Sequence, residues 1–255
     1  MSARKQQIAR HFGAAAPTYD RAARIQARIA EELAGEIAAV AQPSRILEFG
    51  CGTGNLTRAL AGRFPDAQIV ATDLAPPMAA LCRRRMQNRP HFACAAMDAE
   101  MPAFAPAAFD LVCGSLAAQW FANPSHAFAE LGALLRSGGV LAVTTLGADT
   151  FREWRAAAAL LGLTPAVPTY PTLTELDWQR PRGFLVERRS EQRLWDEHPS
   201  ALDFLQSLRS IGADLPADHA RPLPAGALRR ILRHVDAQGR VNATYHVLTA
   251  IWRKG

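Results

Sequence analysis

Apolar and polar positions follow two rhythms along the 255 residues. Between about residues 44 and 147, five short runs stand out: RILEFG, QIVATD, HFACAAMD, FDLVCGS and GVLAVTTL. Their length, their β-branched content and the Gly, Pro, Asp and Ser around them predict strands. The stretches between them have helical spacing, and strands alternating with helices build a parallel sheet covered on both faces. Several runs lack strict alternation, as strands buried on both sides should.

Ala-rich amphipathic stretches at 4–16 and 22–41 predict two helices ahead of this core, separated by APTYDR with a cap expected at Asp20. After the core, 151–162 and 199–211 read as helices, while 164–182 holds four prolines and 214–226 three. FLVERRSEQRLW and NATYHVLTAIWRK predict two strands closing the sheet. The expected organisation is one domain over 1–255: N-terminal helices at 1–41, a cofactor-binding core at 42–148, and a helical lid with closing strands at 149–255.

Composition changes this picture little. Hydrophobic residues at 49% and charged residues at 20% are globular values. No apolar run approaches the roughly 20 residues of a membrane span, and MSARKQQIARHF lacks the apolar centre of a secretory signal. The expectation is a cytoplasmic monomer. The excess of 29 basic over 23 acidic residues gives +6, with arginines grouped at 83–85, 180–193 and 229–233, and favours an acidic partner. Cys51, Cys82, Cys94 and Cys113 form no C-x-x-C pair, so buried free thiols are expected, with no metal site and no disulfide.

Candidate chemistry gathers at the strand ends. In RILEFGCGTGNLT, Gly50, Gly52 and Gly54 free the first strand-to-helix turn of side chains, so a ligand can rest on backbone N–H groups. A dinucleotide fingerprint needs its third glycine where Asn55 stands. Asp73 ends the second strand, where an acid meets a ribose diol, and Asp98 ends the third. With Glu48, three carboxylates ring one crevice; they would repel a pyrophosphate but suit a ribose, an ammonium and a sulfonium. S-adenosyl-L-methionine carries all three.

E-x-G-x-G-x-G with Asp73, MDAE and LLRSGGVL resembles the class I S-adenosylmethionine-dependent methyltransferases over roughly residues 40 to 150. The resemblance implies an α/β, Rossmann-like fold with a seven-stranded, mostly parallel sheet, its last strand antiparallel, plus a helical cap. It implies cofactor contacts from Glu48, Gly50, Cys51, Gly52 and Gly54 on the methionine portion, Asp73 and Leu74 at the ribose, Asp98 and Ala99 at the adenine, and Ser115 at the fourth strand.

Outside that core, FGAAAPTYDRAARIQ, SLAAQWFANP, LQSLRSIGA and ATYHVLTAIW, in that order, are similar to the malonyl-[acyl carrier protein] O-methyltransferases of biotin synthesis. That likeness implies methyl transfer to the free carboxylate of a malonyl group on acyl carrier protein, with no nucleic acid involved. One departure stands out: the family pattern has asparagine where Leu116 follows Ser115. A malonyl carboxylate, with a pKa of roughly 4, is ionised at neutral pH and needs no general base. This agrees with a chain whose seven histidines do not cluster. Tyr19, Gln119, Trp120 and Arg152 are the acceptor-side candidates, with Arg155, Arg182 and Arg193 as further carboxylate ligands. Arg188, Arg229 and Arg233 would face the carrier; His246 reads as structural. Two other readings are a methyltransferase of small trans-aconitate-like acids and an RNA-binding protein built on the same domain.

Overall fold

The computed structural model describes residues 1–216 and 223–255; the part of the second proline-rich stretch at 217–222 lies outside the described residues. Three helices, α1 (Ala3–Ala15), α2 (Tyr19–Ala22) and α3 (Arg24–Ala38), lead into β1 (Arg45–Phe49). The core continues with α4 (Asn55–Arg63), β2 (Gln68–Asp73), α5 (Pro76–Arg85), β3 (Phe92–Ala96) and β4 (Phe109–Ser115). A 3-10 turn (Ala118–Trp120), α6 (Pro124–Ala133) and β5 (Leu135–Leu146) complete it. Then come α7 (Arg152–Leu160), α8 (Leu173–Trp178), β6 (Phe184–His198), α9 (Ala201–Ser210), α10 (Ala225–Asp236) and β7 (Val241–Lys254).

The seven strands form one sheet in the order β3-β2-β1-β4-β5-β7-β6. β1 to β5 pair in parallel, whereas β7 runs antiparallel to both β5 and β6. β7 is therefore the reversed strand, inserted between two that share a direction. Chain order runs outward from β1 on one side and from β4 on the other, so the crevice beyond their carboxyl ends is where a ligand is expected.

Side-chain alternation along β1 divides the core. Ile46 packs with Leu33, Ile37 and Leu60 beneath α3 and α4. Leu47 and Phe49 face the other way, with Phe128 and Leu131 of α6, Leu176 of α8 and the fully buried Trp252. Glu48 shares the face of Ile46, which places a carboxyl in an apolar layer. A separate cluster joins Trp154 of α7, Phe204 of α9 and Ile231 and Val235 of α10 to Tyr245 and Val247 of β7. The long β6–β7 pair thus carries the cap.

One local expectation needs correction, and two stretches hold helices beyond those expected. Asp20 caps no helix: Thr18 stands at the N-cap of α2, and Asp20 instead accepts from Thr53 Oγ1 at 2.6 Å and pairs with Arg85. The first proline-rich stretch contains α8, started by a reciprocal capping box between Thr172 and Glu175. The basic run at 229–233 lies on α10, whose Ile231 and Val235 are buried while Arg229, Arg230 and Arg233 stay exposed.

Candidate active site

The turn after β1 is left-handed at each of its three glycines, with φ of +63° at Gly50, +54° at Gly52 and +98° at Gly54. At Gly50 an added Cβ would lie 2.4 Å from Ala117 Cβ, in the turn after β4. Only a bare backbone lets the two turns meet. Between them opens a cleft of about 740 Å³, lined by Gly50, Gly52, Asp73, Leu74, Asp98, Ala99 and Ser115, with Phe49, Trp120 and Phe121 as its apolar wall.

Asp73 shapes one end. Its Oδ2 accepts from Gly52 N at 2.8 Å and its Oδ1 from Ala75 N at 2.7 Å, which ties the glycine turn to the end of β2. Each oxygen keeps a lone pair free for a hydroxyl. Burial pushes this carboxyl up to about 6 against the pull of those two N–H groups.

A smaller hollow continues behind the glycine turn, lined by Glu48, Gly50, Cys51, Gly52, Thr53, Tyr19 and Gln26. Burial, more than any neighbour, pushes Glu48 up to about 8, although Thr57 Oγ1 donates to its Oε2 at 2.6 Å. Gln26 Oε1 is buried here with no partner among the described residues. A proton-holding acid and an orphaned acceptor in one hollow call for a cationic donor. The ammonium of S-adenosylmethionine fits that need, as its ribose fits Asp73. The site therefore suits the cofactor on its own chemistry.

Helix α1 covers the mouth. Its Ser2 cap accepts from Lys5 N, and one face brings Lys5, Ile8 and Phe12 to the cleft. Lys5 Nζ lies 2.6 Å from Asp98 Oδ2 and 2.7 Å from Glu100 Oε2. These partners raise the lysine's affinity for its proton despite the opposing effect of burial. Phe12 meets Trp120 edge-on, ring centroids 5.3 Å apart.

Most of the expected site residues converge. Tyr19, Gly50, Gly52, Asp73, Leu74, Asp98, Ala99, Ser115 and Trp120 line the cleft, and Glu48 and Cys51 line the hollow behind it. Gly54 touches neither; it starts α4 and backs onto Cys82. Gln119 faces away from the cleft, its Nε2 donating to Leu116 O at 2.7 Å, because the 3-10 turn rotates it opposite to Trp120. Arg152 is exposed at the start of α7 beside Glu153, outside the cleft. Arg193 is held by Asp149 at 2.6 Å and Arg155 by the carbonyls of Thr150 and Pro168. His246 accepts from Asp149 N and meets Glu191, a structural arrangement.

Sequence reasoning missed Lys5, Gln26 and Glu100. Lys5 left a trace, since the chain has only one other lysine, Lys254. The cysteines also differ from expectation: Cys94 is only half-buried, and the fold gathers Cys51, Cys82 and Cys94 although no spacing announces it.

A family model described as a methyltransferase domain matches residues 47–143. The chain is 41% identical over 249 residues to the biotin biosynthesis bifunctional protein BioCD of Bordetella avium, covering 97% of this chain but only 52% of that longer protein. It is 35% identical over 255 residues to a malonyl-[acyl-carrier protein] O-methyltransferase of Magnetococcus marinus, covering 98% of this chain and 93% of the relative. Among solved structures, the YcgJ protein of Bacillus subtilis superposes with a TM-score of 0.62 at 15% identity, covering 88% of this chain and 98% of that one. No helix among the described residues is long and apolar enough to cross a membrane. With a glycine turn, a strand-ending acid and a carboxyl-lined hollow around one cleft, and a match that runs over nearly the whole of both chains, the chain belongs to the malonyl-[acyl-carrier protein] O-methyltransferase family of S-adenosylmethionine-dependent methyltransferases.

Proposed function

We propose that the chain methylates the free carboxylate of a malonyl group borne by acyl carrier protein, as a monomer in the cytoplasm. The observation that carries this reading is the end-to-end match to a relative of that name, extending well beyond the cofactor core. Bound in the cleft, S-adenosylmethionine supplies an electrophilic methyl on a sulfonium.

The chain's own contribution is alignment and dryness. Its larger cleft is lined by neither histidine nor cysteine among the described residues, which suits an acceptor that arrives already ionised. Phe12, Trp120 and Phe121 exclude water, which strengthens the attraction between carboxylate and sulfonium. Tyr19 sits above Gly52, with its ring and hydroxyl 4.0 Å from where a Cβ would stand. Burial first, and the nearby Asp73 carboxylate second, hold its phenolic proton firmly, so Tyr19 serves as a hydrogen-bond donor and not as a base. We assign it to orienting a carboxylate at the methyl. Gln119 and Arg152 take no part in this reading. Arg229, Arg230 and Arg233, exposed on α10, offer an acidic carrier protein a basic landing face that steers encounter.

The test is a panel of malonyl-carrier, malonyl-coenzyme A and free dicarboxylates, with methyl uptake read by mass. The carrier-bound acid should gain one methyl group. Uptake confined to free trans-aconitate-like acids would replace this reading with the small-acid one.

A further inference from the structure

Behind the glycine turn, three elements bring three thiols together. Cys51 follows β1, Cys82 lies within α5 and Cys94 sits in β3, and their Sγ atoms all lie within 4.8 Å of one another. No histidine or carboxylate joins them as a fourth ligand among the described residues. A sulfur–metal bond of roughly 2.3 Å places three sulfurs about 4 Å apart around one centre, so closure needs little movement. Cys51 and Cys82 are buried, but Cys94 is half-buried on the strand that ends the sheet, giving access from that edge.

We propose that Cys51, Cys82 and Cys94 form a trithiol site for a soft trivalent oxyacid of the arsenous acid type. The geometry offers three sulfur ligands and no more, and soft centres select thiolates. Charge decides among them. Three thiolates on a monovalent or divalent ion leave a net negative charge beside the buried Glu48 and Asp73 carboxyls, whereas a trivalent centre is neutralised by three. Three S–As bonds form and three As–O bonds break. Each hydroxide leaves as water, taking a thiol proton, or a solvent proton where a thiol has already ionised. No oxidant is involved.

The site is coupled to the cofactor. Cys51 stands between Gly50 and Gly52, and a Cβ on Gly54 would lie 3.1 Å from Cys82 Sγ, so drawing the sulfurs inward drags the turn that receives the donor. Occupation should weaken donor binding by at least about tenfold, an ordinary allosteric coupling. Uptake itself does not depend on the acceptor reading, so the two can fail separately.

The experiment titrates the full reduced chain with arsenite, counting arsenic by native mass spectrometry and sulfur neighbours by X-ray absorption. One arsenic per chain with three sulfur neighbours is expected. Cys94→Ser and Cys82→Ser should each lose that uptake, while Cys113→Ser should keep it. Donor affinity of Cys94→Ser without arsenite reports that the fold is intact. No uptake, two sulfur neighbours, or equal uptake by folded Cys94→Ser overturns the proposal, as does a disulfide as the sole product.

Discussion

Lys5 and Asp98, 93 residues apart, form a 2.6 Å ion pair across the mouth of the cofactor cleft, and the same ammonium holds Glu100. Lys5 belongs to the covering helix and Asp98 to the cleft wall, so the contact fastens a lid to its frame. Lys5→Ala leaves two neighbouring carboxyl groups without their shared counterion. Donor dissociation should accelerate by about tenfold, a coupling of roughly 1.4 kcal/mol, with smaller change in the chemical step. Stopped-flow release of the bound donor in the absence of acceptor measures this, and an unchanged rate would mean that α1 does not restrain the ligand.

Glu48 makes stability and donor binding depend on pH. Its carboxyl titrates at about 8 when folded against an ordinary 4.5, so the folded chain holds a proton the unfolded chain gives up. The resulting stability is complete below the lower value and disappears as pH rises through the upper one, amounting to a few kcal/mol. Glu48→Gln, which cannot titrate, should flatten the decline in denaturant midpoint over that interval. A cationic ligand in the hollow favours the ionised acid, so donor binding near pH 7 should release a proton. Calorimetry in buffers of different ionisation enthalpy detects it, and Glu48→Gln should abolish it.

Gly50→Ala tests the meeting of the two turns. The new methyl would sit 2.4 Å from Ala117 Cβ on a residue with φ +63°, a clash and a strained backbone together. A loss of about 2–4 kcal/mol in stability is expected, along with a hundredfold or greater loss of donor affinity. Thermal unfolding and calorimetry would show both, and wild-type donor affinity in this variant would remove the glycine turn from the site.

The backbone at Leu116 suits the asparagine of the family pattern better than the leucine that stands there. It lies in the left-handed region with φ +50°, anchored by its N–H to Thr144. Asparagine tolerates that conformation far better than leucine. Leu116→Asn should therefore cost less than about 1 kcal/mol, where truncating a well-packed leucine ordinarily costs 2–5. A larger loss in denaturant unfolding would show that its packing against the apolar cluster of the cap outweighs the strain.

The core and the lining of the cleft were legible because each depends on local rules. A strand must show apolar runs, a turn packed closely against another must show glycine, and an acid at the crevice must end its strand; Ile46, Gly50 and Asp73 follow one rule each. The acceptor side was less legible because orientation there depends on partners far along the chain. Gln119 and Trp120 are adjacent in sequence, yet one 3-10 turn points them to opposite sides. Arg193 read as an anion ligand, but Asp149, 44 residues away, already occupies it. Helix α10 could have been found: Leu228, Ile231, Leu232 and Val235 repeat at helical spacing beneath the conspicuous arginines.

The position of β7 carries a consequence for biogenesis. β6 finds its ladder partner in β7, and β5 finds its second neighbour there too, so the strand translated last of the seven joins the edge strand β6 to the rest of the sheet. Until the ribosome has delivered it, β6 waits as a solitary ribbon displaying Phe184 and Leu194, which the finished fold buries. Co-translational folding can finish the donor-binding half early, but the cap must assemble afterwards. A nascent chain stalled before residue 241 should therefore present a folded donor-binding half and recruit chaperones through that uncovered strand.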